Sequence, residues 1–257
     1  MELTIDGGRM KQSDDLYKEM RALIGADCGH SLDAIHDRLT ERRFETVMLK
    51  IKNKTRLERI LDKKSAGFFR MLSETEKEDI GFHTEILKQE VHRLYLDMDG
   101  VLADFDEGVQ RILHLPIIKQ GTKTPEEDNE MYGRMREVGN YYDMLYPMPG
   151  AVEMFEKIYG ELEEKCEILT GIPKPSRGID TAGPDKISWM KRLLSDRVVM
   201  NIVLRKEKIL YCRGPEDILI DDYEKNLKEW DEAGGTSILH EDSESTLRKL
   251  KEMGILG

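Results

Sequence analysis

The strongest constraint on how this chain can fold comes from three short apolar runs. Each run is followed by a polar residue whose side chain can take part in catalysis or ligand binding. The residues that end these runs are, in chain order, the turn Asp97-Met98-Asp99-Gly100, then Thr170, then the pair Asp221-Asp222. Apolar runs separated by helical stretches predict a parallel α/β sheet. Ligands of open parallel sheets bind beyond the carboxyl ends of the strands. We therefore expect these polar residues to meet in one site.

The same strand and helix pattern extends over residues 91–257, which we predict to be one domain. Its predicted strands are 91–97, 166–170, 199–204, 217–221 and 236–240. The segment 105–165 interrupts this rhythm, because it is helical in character and contains a loop marked by Pro116, Gly121 and Pro125. An insertion of this kind between two strands predicts a small helical cap over the site.

Residues 1–87 predict a separate and smaller α/β domain, and residues 88–90 form the short linker that follows it. Apolar and polar residues alternate in three predicted strands, at 3–5, 47–51 and 82–86. The residues predicted to cap its helices are Ser13, Ser31 and Thr55.

Charge and composition narrow the possible partners. The net charge is −11, and residues 1–90 are nearly balanced, so the acidic excess belongs to the rest of the chain. We therefore expect no nucleic-acid polymer as a ligand, whereas a small anion can still bind where a few basic side chains form a local pocket. No apolar run approaches the roughly 20 residues that span a bilayer. The N-terminus lacks signal-peptide features and only three cysteines are present, so we expect a cytoplasmic protein without membrane contact.

The order Asp-x-Asp, Thr, Lys, Asp-Asp, with Lys208 as the lysine, resembles the haloacid dehalogenase superfamily of aspartyl-phosphate phosphotransferases. The resemblance implies a Rossmann-like core. It also implies that Asp97 attacks phosphorus and forms an aspartyl-phosphate. Asp99 would protonate the leaving oxygen and then activate water.

The same resemblance implies a magnesium ion and a phosphate cradle. Mg²⁺ would be held by the carboxylate of Asp97, the carbonyl of Asp99 and one of the pair Asp221 and Asp222, an all-oxygen set that suits this ion. The residues implied to bind the phosphoryl oxygens are Thr170, Gly171, Lys174 and Lys208. For Lys174, a solvated loop lysine is the alternative interpretation.

Further segments resemble the 5'(3')-deoxyribonucleotidase family, also called 5'-nucleotidase type C. They are 141–153, 170–174, 186–189, 203–208 and 221–226. This narrower resemblance implies hydrolysis of nucleoside monophosphates, with deoxyribonucleotides favoured. Tyr223-Glu224 replaces the family's Arg-Pro and Gly171 replaces a small hydroxyl residue, so another small phosphomonoester is the alternative substrate. The aromatic residues considered for base stacking, with core packing as the alternative, are Phe105, Tyr132, Tyr141 and Tyr142.

Residues 1–87 resemble barstar, the ribonuclease inhibitor, in the order of their elements and in the segment 27–37, although Asp27 and His36 stand where barstar has aromatic residues. Asp33 and Asp37 are four positions apart and would share one helix face. The resemblance implies an acidic docking surface for a basic protein such as a ribonuclease. A solvated acidic face near a helix N-terminus is the alternative. A chain of this kind could then be an interaction protein whose phosphatase half is secondary.

Overall fold

A computed structural model describes residues 1–25, 29–41, 46–79 and 81–257. Asp27 and Cys28, which belong to the barstar-like segment, lie outside these described residues. The chain forms two compact units, Met1–Glu90 with Met253–Ile255, and Val91–Glu252 with Leu256–Gly257. Within the described ranges, no helix is both long and apolar enough to cross a membrane.

The first unit contains the three strands that the alternation predicted, and they form a parallel sheet in the order β1-β2-β3. Its elements are β1 (Glu2–Asp6), α1 (Asp14–Ile24), α2 (Leu32–Thr40), β2 (Val47–Lys52), α3 (Lys54–Leu61), α4 (Ser65–Glu78) and β3 (Phe82–Ile86). Ile5, Leu49 and Ile51 are fully buried, and they form one core with the apolar faces of the helices. Residues of α3, α4 and β3 also line a cavity of about 680 Å³, which contains none of the predicted site residues.

The capping predictions for this unit are confirmed at one position and wrong at two. Ser31 Oγ accepts a backbone N–H at 3.1 Å, as predicted. Ser13 precedes α1 but makes no capping hydrogen bond, because its backbone is already helical and the Asp15 and Leu16 N–H groups donate to the carbonyls of Gln12 and Ser13, at 3.0 and 3.3 Å. Thr55 does not cap α3, because the chain leaves β2 through Asn53 at a φ of 53° and the helix begins before Thr55.

The second unit contains a five-stranded, fully parallel sheet in the order β6-β5-β4-β7-β8. Its strands are β4 (Arg93–Leu96), β5 (Cys166–Ile172), β6 (Val199–Leu204), β7 (Asp217–Asp221) and β8 (Thr236–Leu239). The predicted strands are confirmed, although β4 and β8 are shorter and β5 is longer than expected. Its helices are α5 (Phe105–Arg111), α6 (Pro125–Val138), α7 (Ala151–Leu162), α8 (Ala182–Leu193), α9 (Glu224–Glu232) and α10 (Ser243–Glu252).

The strand order explains why the predicted site residues meet. The chain builds β4, β5 and β6 side by side, and then returns across the sheet to place β7 on the other side of β4. The carboxyl ends of β5 and β7 therefore flank that of β4, at the point where the order reverses. A crevice outside the strand ends is expected at such a point.

Helices fill the interval between β4 and β5, as expected for a cap. They are α5, α6, a short 3-10 helix at Tyr141–Met144, and α7. The 3-10 helix packs against α8, where the buried Trp189 donates its indole N–H to the Leu145 carbonyl at 2.8 Å. Gly108 of α5 allows the Leu145 side chain to approach, because a Cβ at that position would lie 2.3 Å from Leu145 Cδ2.

Candidate active site

The turn after β4 is built to hold Asp97 still. The Asp97 N–H donates to the Ile220 carbonyl of β7 at 2.9 Å, which extends the strand pairing by one residue. The Met98 carbonyl then accepts from Leu102 at 2.9 Å and Ala103 at 2.8 Å, which closes a tight turn. The Met98 N–H also donates to Asp97 Oδ1 at 2.8 Å. Asp97 therefore has a fixed carboxylate at the carboxyl end of the central strand.

Gly100 allows an acid from outside this turn, Asp222, to approach it. Its φ is 76°, in the left-handed region that glycine tolerates best. A Cβ at this position would lie 2.3 Å from Asp222 Oδ2, so the absence of a side chain lets the Asp222 carboxylate approach the turn. The glycine of the Asp-x-Asp-Gly sequence is thus required by contact as well as by conformation.

Three carboxylates converge at the ends of β4 and β7. Asp97, Asp221 and Asp222 each offer an oxygen, and these oxygens lie within 4.8 Å of one another. The buried Lys208 ammonium lies between two of them, 2.8 Å from Asp97 Oδ2 and 2.7 Å from Asp221 Oδ2. The fold therefore brings together four residues that were singled out from the sequence.

One lysine does not neutralise three acids. Burial raises the pKa of Asp221 to about 6, and the charge of Asp97 adds to the effect while Lys208 opposes it. Removal from water and the charges of Asp97 and Asp221 raise the pKa of Asp222 to about 8, although this side chain is partly open to solvent. Burial opposes the charge of Lys208, but Asp97 and Asp221 outweigh it and raise its pKa. The carboxylates outnumber the lysine, so the cluster favours the binding of a further cation.

A second buried lysine, Lys186, holds Asp99, the other acid of the turn after β4. Lys186 Nζ donates to Asp99 Oδ2 at 2.7 Å, to Thr170 Oγ1 at 2.8 Å and to the Gly171 carbonyl at 2.9 Å. Asp99 Oδ1 is buried without a hydrogen-bond partner among the described residues. Burial raises the pKa of Asp99, and the charge of Lys186 works against this shift. The Asp99 carboxyl is therefore held by one oxygen and free at the other.

The role of Lys186 was missed in the sequence, where it was noted only as part of a Lys-x-x-Trp segment. A signal was present, because Lys186 and Trp189 are three positions apart and share a helix face. The Trp189 face is fully buried, so Lys186 must be buried with it and needs anionic or polar partners. Lys174 behaves differently: it is exposed, and no ion pair among the described residues joins it to the site. Its phosphate role stays a prediction.

The aromatic residues of the cap divide into two groups. Tyr141 is buried, donates to the Phe105 carbonyl at 2.8 Å and packs edge-on against Phe105, which is core packing. Tyr142 is also buried, and its ring covers Lys186 with 4.8 Å between Nζ and the ring centroid. Tyr132 is partly exposed and lies under the guanidinium of Arg177, 4.6 Å from the ring centroid. Base stacking by Tyr132 therefore stays a prediction.

Comparison with known proteins places this architecture in a family. Residues 90–252 match the sequence profile of the family described as "5' nucleotidase, deoxy (Pyrimidine), cytosolic type C protein". The chain belongs to this family. The nucleotidase type C match covers both acids of the Asp97 turn, both buried lysines and the pair Asp221-Asp222, and it ends at the close of α10.

Individual relatives carry related names. The chain is 29% identical over 146 residues to the mitochondrial 5'(3')-deoxyribonucleotidase of Homo sapiens, a match that covers 51% of this chain and 61% of the human protein. It is also 29% identical over 133 residues to a putative 5'(3')-deoxyribonucleotidase of Vibrio phage KVP40, covering 52% of this chain and 67% of that protein. The human relative is named mitochondrial, so the cytoplasmic location stays a prediction.

Among solved structures, the chain is similar to a HAD family hydrolase from Deinococcus radiodurans R1. The identity is 13% and the TM-score is 0.39, over 65% of this chain and 98% of that one. The family match begins at residue 90, so the N-terminal unit lies outside it. The resemblance of that unit to barstar stays a prediction.

Proposed function

We propose that this protein is a Mg²⁺-dependent phosphomonoesterase that hydrolyses nucleoside monophosphates, with deoxyribonucleotides preferred. The family membership and the names of the relatives support the substrate class. The arrangement of acids and lysines at the ends of β4, β5 and β7 supports the reaction. Hydrolysis of a different small phosphomonoester by the same residues is the second candidate, favoured by Tyr223 and Glu224 after the paired acids.

The observation that carries the proposal is the different surroundings of the two acids, Asp97 and Asp99. The Asp97 carboxylate lies in direct contact with a buried ammonium, and the neighbouring Asp99 has a buried carboxyl oxygen without a partner. A nucleophilic carboxylate must approach an anionic phosphoryl group, so positive charge beside it lowers the repulsion. An acid with a free oxygen can transfer a proton to or from a group bound next to it. The two acids are therefore suited to different tasks.

In the first half of the reaction, a carboxylate oxygen of Asp97 attacks phosphorus and the bond from phosphorus to the nucleoside oxygen breaks. Asp99 donates its proton to the departing oxygen, so the nucleoside leaves as a neutral alcohol. In this proposal Lys208 and Thr170 bind phosphoryl oxygens, while the Lys186 ammonium, which donates to both Asp99 and Thr170, orients these two side chains. The product of this half is an aspartyl-phosphate on Asp97 and a carboxylate on Asp99.

In the second half, Asp99 takes a proton from a water molecule as that water attacks phosphorus. The bond from phosphorus to the Asp97 oxygen breaks, inorganic phosphate forms, and both acids return to their starting states. The attack requires water to enter where the nucleoside left. The unpartnered oxygen of Asp99 can accept the proton because no other group of the described chain occupies it.

The residues at this site fit a magnesium ion. Three carboxylates lie within reach of one another, and hard oxygen donors are what Mg²⁺ prefers. Asp221 already accepts hydrogen bonds at both oxygens, whereas Asp222 lies over Gly100 and is open to solvent. We therefore assign the ligands as Asp97, the Asp99 carbonyl and Asp222, with Asp221 behind them. When bound, Mg²⁺ would neutralise charge on the substrate phosphate.

The first test replaces the nucleophile. Asp97→Asn keeps the size of the side chain but removes its charge, so we expect turnover to fall by at least about 1,000-fold with the fold intact. The control is Asp196→Asn, which removes an exposed carboxylate outside the cluster and should leave kcat unchanged. Wild-type turnover in Asp97→Asn, or in excess EDTA, would exclude the mechanism.

The substrate class is tested separately with a panel of phosphomonoesters. We expect nucleoside monophosphates to give the highest kcat/KM, with deoxyribonucleotides above ribonucleotides. A higher kcat/KM for a hexose phosphate or phosphoglycolate would favour the second candidate. That result would leave the roles of Asp97 and Asp99 standing.

A protein-binding role for the N-terminal unit is a separate proposal, supported by the exposure of Asp33 and Asp37 one turn apart on α2. Exposed acids raise the association rate with a basic partner and make binding salt-sensitive. In a ribonuclease inhibition assay with the full chain, Asp37→Ala should weaken inhibition and Asp14→Ala, on α1, should not. No inhibition at micromolar protein and low salt would exclude this role.

A further inference from the structure

A chain of hydrogen-bonded side chains leads away from the carboxylate cluster through Asp221. The amide nitrogen of Asn226 donates to Asp221 Oδ1 at 3.1 Å and to Oδ2 at 2.9 Å. Asp221 is fully buried and Asn226 is 6% exposed, so water does not compete freely for these bonds. The Tyr223 N–H adds a further bond to Asp221 Oδ1, at 2.9 Å. Besides Lys208, the Asp221 carboxylate is therefore held by one side-chain amide, at both oxygens, and by one backbone N–H.

The orientation of that amide is itself determined. Arg205 Nη1 donates to Asn226 Oδ1 at 2.9 Å. An asparagine side chain has an acceptor at one end and donors at the other, so a donor at Oδ1 forces the NH₂ group toward Asp221. Glu229, one turn after Asn226 on α9, holds the same guanidinium at 2.8 Å and 3.2 Å. Paired contacts of this kind fix a guanidinium in position and in plane.

The other side of Asp221 leads to the reacting group. Asp221 Oδ2 accepts from Lys208 Nζ at 2.7 Å, and the same ammonium lies 2.8 Å from Asp97. A flexible lysine held by two carboxylates keeps one position, whereas a lysine held by one can rotate about it. The place of Lys208 beside Asp97 thus depends on where Asp221 points.

We propose that Asn226, locked by Arg205 and Glu229, is a positioning residue that sets the Asp221 carboxylate and, through it, the Lys208 ammonium. This inference deepens the proposed function and rests on it, because it takes Asp97 as the nucleophile. The three residues come from α9 and from the short 3-10 helix at Arg205–Tyr211, and no hydrogen bond or ion pair joins any of them to Asp97 in the described part of the chain. Their effect on the reaction is therefore indirect.

Two series of measurements on the full chain test this role. In Asn226→Ala we expect kcat for p-nitrophenyl phosphate to fall about 10- to 100-fold, while KM changes less than about 3-fold. We also expect Mg²⁺ titration by calorimetry to show an affinity about 10-fold weaker, because Asp221 would rotate within the carboxylate cluster. A residue that only stabilises the fold would lower the melting temperature and leave both quantities unchanged.

A milder variant and its matched control still test the proposal if Asn226→Ala does not fold. Glu229→Gln removes the charge that holds Arg205, and we expect a fall in kcat of about 3-fold, in the same direction as Asn226→Ala. Glu232→Gln is the matched control, since it makes the same change on the same helix in an exposed ion pair with Lys228. We expect kcat within about 2-fold of the wild type for this control.

The outcomes separate the two proposals. Wild-type kcat and Mg²⁺ affinity in a folded Asn226→Ala protein would overturn the positioning role, as would wild-type values in Glu229→Gln if Asn226→Ala is unfolded. If the wild type hydrolyses no phosphomonoester, the proposed function fails. The Mg²⁺ affinities of the series still decide whether Asn226 orders the cluster.

Discussion

At the residue scale, Gly100 shows how a contact and a backbone angle act together. In Gly100→Ala the new Cβ would meet Asp222 at 2.3 Å, and the residue would keep a φ of 76°. We expect a loss of about 1–3 kcal/mol in the free energy of unfolding from backbone strain. We also expect a loss of activity, because Asp222 must move. Thermal unfolding and a phosphatase assay measure the two effects.

The control for this variant isolates the strain. Gly139 has a φ of 89°, and a Cβ at that position would meet nothing within 4 Å. Gly139→Ala should therefore lose stability in the same range and keep its activity. Equal activity in the two alanine variants would contradict the importance of the Asp222 contact.

The next prediction concerns Lys186, which holds Asp99, the second acid of the Asp97–Gly100 turn. Lys186→Met keeps the length of the side chain but leaves Asp99, Thr170 and the Gly171 carbonyl without their shared donor. We expect kcat to fall about 100- to 1,000-fold, because general acid–base transfer contributes roughly 100- to 10,000-fold and Asp99 would lose the donor that orients it. Lys191→Met, at an exposed position of the same helix, should retain wild-type kcat. Comparable kcat values in the two variants would contradict the role of Lys186.

At the scale of elements, one arginine ties the cap helix α6 to the loop after β5. Arg177 donates to Asn129 Oδ1 at 2.6 Å, forms an ion pair with Asp128 and covers the ring of Tyr132. Arg136 of α6 donates back to the Arg177 carbonyl at 2.7 Å. The cap is thus held at this end by contacts that a single substitution can remove.

Arg177→Ala should loosen α6 without unfolding the sheet. The ion pair is about one-third exposed, so we expect a cost of about 1 kcal/mol and a roughly fivefold increase in the opening equilibrium of α6. Hydrogen exchange of the α6 amides measures this increase. Arg134→Ala, which removes an exposed pair within α6, should leave exchange nearly unchanged. Unchanged α6 exchange in Arg177→Ala would show that other contacts hold the cap.

At the scale of the whole molecule, each unit has a core of its own. Leu49 is fully buried in the first unit and Leu219 is fully buried in the second. Leu49→Ala should cost about 2–5 kcal/mol, because the cavity is only partly filled by relaxation. We expect this loss to lower the unfolding temperature of the first unit by calorimetry while kcat at 25 °C stays unchanged.

Leu219→Ala provides the reciprocal measurement. It should lower the unfolding temperature of the second unit, which contains the candidate active site, by a similar cost. A single shared transition that both variants move equally would show that the two units unfold as one. Two transitions that move separately would support two domains.

Much of the fold follows from patterns that are local in sequence. The strand 217–221 was predicted with both ends correct, because the apolar run Ile218-Leu219-Ile220 between polar residues is readable without tertiary information. Asp97, Thr170 and Asp221 were placed together because parallel strands bring their carboxyl ends to one edge. The predictions that Ser13 and Thr55 cap helices were wrong, because capping depends on where the chain leaves the preceding turn.

The sequence by itself determined the strands, the acids at their ends and hence the class of site. Only the tertiary structure decided which lysine holds Asp99, since Lys186 reaches it across 87 positions of the chain. Only the fold separates the roles of Asp221 and Asp222, two adjacent residues of the same type. The reason is physical: consecutive side chains at a strand end point in different directions, so Asp221 faces Asn226 and Lys208 while Asp222 faces Gly100.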